Sequence, residues 1–179
     1  MENSKAFYKR GDGAKDFFRR EDRKLRRGEF DVDNFSEEKK RLRVKELLDK
    51  LSMGCYPHEQ IDYATEIINL DPTNIFAYCC RIYAYSEFND CMAQIDDLTE
   101  LLRIAPDKYK FYCWRAAVYE ETNNLEYAVA DLTKAIELAP KEDKSQLYNW
   151  HDECYARLKN NGAATADYAK AAEFNANCN

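Results

Sequence analysis

Glycine and proline are scarce in this chain, with 5 and 4 among 179 residues. A sheet-rich fold needs more turn chemistry than that, so the composition argues for helices. No CxxC pair occurs among the seven cysteines, and His58 and His151 have no second Cys or His at ligand spacing. A zinc site needs four converging soft ligands, so no metal site and no cofactor are expected. An odd cysteine count without a framework points to reduced thiols, most of them small buried hydrophobes, in a reducing compartment such as the cytoplasm. No phosphate-cradling glycine loop is present. No apolar run approaches the roughly 18 residues that span a bilayer, so no membrane is expected as a partner. The start, "MENSKAFYKRGDGAKDFF", lacks a basic region followed by an apolar one, so no secretory signal is expected. Glu2 stands where a myristoylation start needs Gly.

Charge is present but uneven. Residues 1–28 hold 10 Lys/Arg against 5 Asp/Glu, leaving −11 for the rest of a chain whose total is −6. Residues 1–32 therefore read as a basic extension, part helical. Within it "AKDFFRREDRKLRRG" (14–28) puts Phe17, Phe18 and Leu25 roughly on one side, with Gly28 as a C-cap. The segment suits a terminal cap on the first repeat, or an arm for an acidic partner. The interleaved acids argue against nucleic acid. Asn34 with Glu37 resembles a capping box, with Ser36 as the alternative cap of the following helix.

The body repeats. Pro72, Pro106 and Pro140 stand 34 residues apart, after the similar words "EIINLDP", "LLRIAP" and "AIELAP". The words that follow also match: Tyr78 aligns with Tyr112, Arg81 with Arg115 and Tyr85 with Tyr119. Each period reads as two helices. The clearest has Tyr109–Glu121, a "TNN" turn, then Leu125–Leu138 with Pro140 just beyond. Ala116, Ala128 and Ala135 let helix axes approach closely, and Tyr112, Tyr119 and Leu132 fill the space between. One such pair cannot bury its own face, so neighbours must stack.

Tyr112, Ala116, Tyr119, Ala128, Leu132, Ala135 and Pro140 resemble, in order, the signature of the tetratricopeptide repeat. The copy at 75–108 matches at Tyr78, Tyr85, Leu98, Leu101 and Pro106. It departs at Ile82 and Gln94, which predicts looser or rotated packing there. The copy at 41–74 keeps Leu47, Leu48, Leu51, Ala64, Ile67 and Pro72. The last copy, 145–178, follows a two-residue insertion after Pro140. It keeps Tyr148, Tyr155, Ala164, Tyr168 and Ala171, with Ala176 in place of Pro. The resemblance covers roughly residues 41–178 and implies an all-α, right-handed superhelical solenoid of about four helix pairs within 33–178, the third spanning 109–144.

The resemblance also implies a groove lined by positions two, five, nine and twelve of each first helix. These are Leu42, Lys45, Asp49 and Ser52; Phe76, Cys79, Tyr83 and Ser86; Lys110, Cys113, Ala117 and Glu120; and Gln146, Asn149, Glu153 and Ala156. Chaperone-tail binders of the family clamp a terminal carboxylate with Lys and Asn. Asp49 stands where the first clamp Asn belongs and would repel a carboxylate. The centre, Phe76, Cys79, Tyr83 and Cys113, suits a neutral, basic or apolar-anchored peptide or helix. Arg81 and Arg115 are expected to bridge repeats, with carboxylate binding as the alternative. Cys154 lies three residues from His151 on one helix, but nothing supplies an oxyanion site, so no enzyme is expected. The role read from the sequence is a non-catalytic interaction scaffold. Two alternatives are a helical subunit of an enzyme complex and a nucleic-acid-associated protein using the arm. For the former, "PTNIFAYCCR" resembles the repeat of prenyltransferase α-subunits at Pro72, Asn74 and Arg81. The Ala-rich C-terminal stretch offers a surface for self-association.

Overall fold

The structure, a computed structural model, describes residues 32–176, with side chains from 36 to 174. Eight helices and no strand occur among the described residues. In chain order they are α1 (Val32–Ser52), α2 (Pro57–Leu70), α3 (Ile75–Glu87), α4 (Cys91–Ile104), α5 (Tyr109–Glu121), α6 (Leu125–Leu138), α7 (Lys141–Arg157) and α8 (Asn161–Ala176). Each helix packs mainly on its neighbours in sequence, the pattern of a solenoid. The core is accordingly a row rather than a centre. Leu47, Leu51, Ala64 and Ile67 join Ala77 of α3. Tyr78, Ile82, Leu98 and Leu101 join Phe111 and Val118 of α5. Ala116, Ala128, Leu132 and Ala135 join Leu147 and Cys154 of α7. Each pair thus completes its core with the first helix of the next.

Local chemistry sets the turns. Asn74 and Asp90 cap α3 and α4, accepting from the backbone N–H of Ala77 and Ala93, each at 3.1 Å. Glu59 accepts from Tyr56 N–H at 3.0 Å, and Pro57 opens α2. Asn89, Asn123 and Lys159 have φ of 55°, 57° and 59° and end the first helices of three successive pairs. The next residue's N–H reaches back to Tyr85, Tyr119 and Tyr155 O at 3.0, 2.7 and 2.9 Å, which closes each helix with a left-handed cap.

Three differences from the sequence reading stand out. Asn34 and Ser36 lie inside α1, which is already helical at Val32, so neither caps it. The two extra residues after Pro140 extend a helix instead of a loop: α7 begins at Lys141 and runs 17 residues, against 13 for α5. Ile82 and Gln94, where looser packing was expected, are both buried.

The arginines differ too. Arg81 makes a two-pronged ion pair with Asp97 of its own pair, at 2.8 and 2.6 Å, not a salt bridge between repeats. Its link to the previous pair is a hydrogen bond donated to Thr65 Oγ1 at 3.0 Å. Arg115 repeats this with Asp131, at 2.8 Å for both prongs, and with Thr99 at 3.0 Å. In the fourth pair His151 takes the place: Nδ1 donates to Asp167 at 2.8 Å, and Nε2 meets Thr133 Oγ1 at 3.0 Å. One residue in each of α3, α5 and α7 therefore clasps its own second helix and the second helix before it.

Arg115 and Asp131 retain only 18% and 8% side-chain exposure. Removing one partner strands the other in a poorly solvated site, which costs about 3 kcal/mol. Arg115→Ala is expected to lower the unfolding free energy obtained from urea titration by that amount. Arg103→Ala, which breaks an exposed pair with Glu100, is expected to move stability by less than about 0.5 kcal/mol.

Candidate functional site

The face to inspect is the one carried by the first helix of each pair, α1, α3, α5 and α7. None of the sixteen side chains expected there is buried. On α1, Lys45, Asp49 and Ser52 are exposed and Leu42 is half-buried. On α3, Phe76 and Tyr83 keep 51% and 60% of their surface in water. Cys79 sits between them but leans on the core beside Tyr78 and Ile82. On α5, Lys110 is exposed, while Cys113 packs against the third core cluster. On α7, Gln146, Asn149, Glu153 and Ala156 are exposed.

Some polar groups are already engaged. Ser52 and Ser86 donate their hydroxyls to Asp49 O and Tyr83 O of their own helices, at 2.9 and 2.7 Å. Glu120 accepts from the indole of Trp150 at 2.7 Å and also pairs with Arg157. That contact joins α5 to α7 and withdraws Glu120 from any ligand. What is left open is an aromatic pair, Phe76 and Tyr83 on α3, with Lys45 and Asp49 exposed on α1, Lys110 on α5 and Glu153 on α7. Neither Lys45 nor Lys110 forms an ion pair among the described residues. Such a strip can take apolar anchors and orient a backbone by charge.

The clasp residues Thr65, Thr99 and Thr133, and Asp97, Asp131 and Asp167, were missed by sequence reading. A signal existed. The threonines recur every 34 residues, and each acid lies 16 residues after its Arg or His. Arg81 and Arg115 commit their two-pronged edge to Asp97 and Asp131 and a further N–H to a threonine of the pair before.

Asp167, His151 and Thr133 fall in line like an acid–base–hydroxyl relay. The Thr133 hydroxyl, however, is donated to Val129 O at 2.8 Å, and arginine holds the same place in two other pairs. The arrangement is a clasp. Cys154 is fully buried, and burial pushes its thiol up to about 11, the reverse of an activated nucleophile. Burial likewise pushes Cys113 up to about 11. Among the described residues no cluster of three His, Cys, Asp or Glu could hold a metal ion, and no helix is long and apolar enough to cross a membrane.

These features define a solenoid of tetratricopeptide-like helix pairs with an open first-helix face. Known structures similar to it include those of MamA, a helical-repeat protein of this type. One crystal structure of MamA superposes with a TM-score of 0.64 at 20% identity, over 88% of this chain and 95% of that one. A double mutant of MamA from strain RS-1 gives 0.62 at 17% identity, over 93% and 96%. MamA residues 41 to the end, from Desulfovibrio magneticus RS-1, give 0.61 at 16% identity, over 92% and 96%. At such identities the likeness concerns the fold. No protein-family model and no curated protein sequence matches the chain.

Cys113 and Cys154 carry a pH prediction. Both thiols are raised from an ordinary 9 in the fold, so the folded state holds their protons more tightly than the unfolded chain. Their contribution is intact below pH 9 and is lost as pH rises through about 11. Urea midpoints are expected to fall across that window, and less steeply in Cys154→Ala. At pH 7.5 alkylation followed by mass spectrometry should find these two thiols slowest, with about a hundredfold less thiolate than an ordinary cysteine.

Proposed function

We propose that this chain is a non-catalytic protein-interaction scaffold that binds a peptide or a helix of another protein along its concave first-helix face. The observation that carries the reading is the pair Phe76 and Tyr83. Two large aromatics stand exposed on one helix, flanked by the lysines of the helices on either side. Exposed aromatics in a lined patch are what partner surfaces use as anchors, because each buries much area with little side-chain entropy to lose. Asp49 and Glu153 on the same face disfavour a terminal carboxylate and favour neutral or basic backbone stretches around the anchors. Self-association through α8 is a second mode, supported by the exposed Tyr168 on that last helix. A reducing, cytoplasmic setting suits the six free thiols among the described residues.

The test is capture of partners from a reducing lysate of the source cell. Wild-type bait is compared with Phe76→Ala/Tyr83→Ala/Lys45→Glu and with Lys134→Glu, which lies on a second helix. Each lost anchor is worth about 2 kcal/mol at a hot spot, so the triple variant should recover a specific partner at least about tenfold less. Lys134→Glu should recover it fully. A partner held equally by wild type and the triple variant would place the binding surface elsewhere.

A further inference from the structure

At the lip of that face lies an apolar cavity of about 590 Å³, between the start of α3, the first two turns of α5 and the α6–α7 connection. Its walls are Ile75, Phe111, Trp114 and Leu138. Trp114 keeps 44% of its surface exposed, and Ile75 and Leu138 more than a third. Three large apolar side chains left in water around one hollow are a costly arrangement for a surface with no further use.

The repeat itself supplies a comparison. Trp150 occupies on α7 the position that Trp114 occupies on α5. There the indole is half-buried and gives its N–H to Glu120. The residue corresponding to Glu120 one pair earlier is Ser86, whose hydroxyl is turned onto its own helix. Trp114 therefore has no carboxylate partner among the described residues. Its ring packs at 5.5 Å on Phe111, and its N–H has no partner among the described residues.

Charge at the rim has one sign to spare. Asp107 is faced by Lys108 at 3.8 Å, which leaves Lys110 as the unpaired group. We propose that this cavity is an anchor site for a peptide segment carrying an aromatic residue flanked by acidic residues, the aromatic ring entering beside Trp114 and a carboxylate meeting Lys110. The inference rests on the scaffold reading above and names the partner chemistry of one end of the same face. The volume accommodates an aromatic side chain with room for its backbone, and the positive rim disfavours a lysine-flanked anchor.

The experiment is a titration of the full ¹⁵N-labelled chain. Its two tryptophans give two indole signals, assigned with Trp150→Phe. The probes are the blocked tripeptides acetyl-Glu-Phe-Glu-amide, acetyl-Lys-Phe-Lys-amide and acetyl-Glu-Ala-Glu-amide. The first is expected to shift the Trp114 signal saturably. The second should do so at about tenfold higher concentration and the third not at all. Lys110→Glu should weaken the first by about tenfold and Ile75→Asp should abolish it, while Tyr83→Ala leaves it unchanged. That last arm separates this site from the aromatic patch, whose failure in the capture assay would leave the Trp114 response intact. A Trp114 signal unmoved by acetyl-Glu-Phe-Glu-amide, or moved equally by the lysine peptide, would overturn the proposal.

Discussion

One side chain in each of three successive first helices holds three helices together at once. Arg81 and Arg115 lay their planar guanidinium against a carboxylate in the same pair, and reach a threonine hydroxyl in the pair before. The two-pronged geometry fixes the rotation of the first helix about its own axis as well as its distance. A purely apolar contact between these helices would tolerate a slide or a turn. The clasp does not, because the carboxylates of Asp97 and Asp131 are nearly buried and have little water to fall back on. His151 keeps the same three-way link in the last pair with a smaller and less redundant group.

The surface follows from that constraint. With position seven of α3, α5 and α7 turned inward to the clasp, positions two and nine are turned away from it, and Cys79 and Cys113 at position five lie at the edge of the core. Phe76 and Tyr83 are therefore exposed because Arg81, on the same helix, is not. The same logic applies to α5, where Arg115 points inward and Lys110 outward. Trp114, next to Arg115, is left between inside and outside, at the edge where the cavity forms. The exposed first-helix face and the internal scaffold are two sides of one helix rotation.

The all-helical solenoid was legible in the sequence because its signal is redundant. Ala116, Ala128 and Ala135 must be small where axes approach, and Pro140 must fall outside a helix. Those requirements recur at one period, so α5 and α6 begin and end where the pattern places them. The start of α1 was not legible, because a polar, highly charged stretch carries no face, and Asn34 and Ser36 look like caps wherever they stand. The clasp was half legible. The arginines stood out in register, but their acids and threonines lie on other helices, and in the fourth pair a histidine replaces the arginine two residues out of register. The cavity at Trp114 was not legible, since its walls come from three separated stretches that meet only in the stacked fold.

The central claim is that the first-helix face, and not the outer second-helix face, carries a protein partner. Photo-crosslinking from single benzoylphenylalanine substitutions tests it most directly, with one at Tyr83 and another at Lys134, followed by identification of the crosslinked peptides. The account predicts a defined partner peptide joined at position 83 and none at position 134. A partner crosslinked at position 134 and absent at 83 would contradict it.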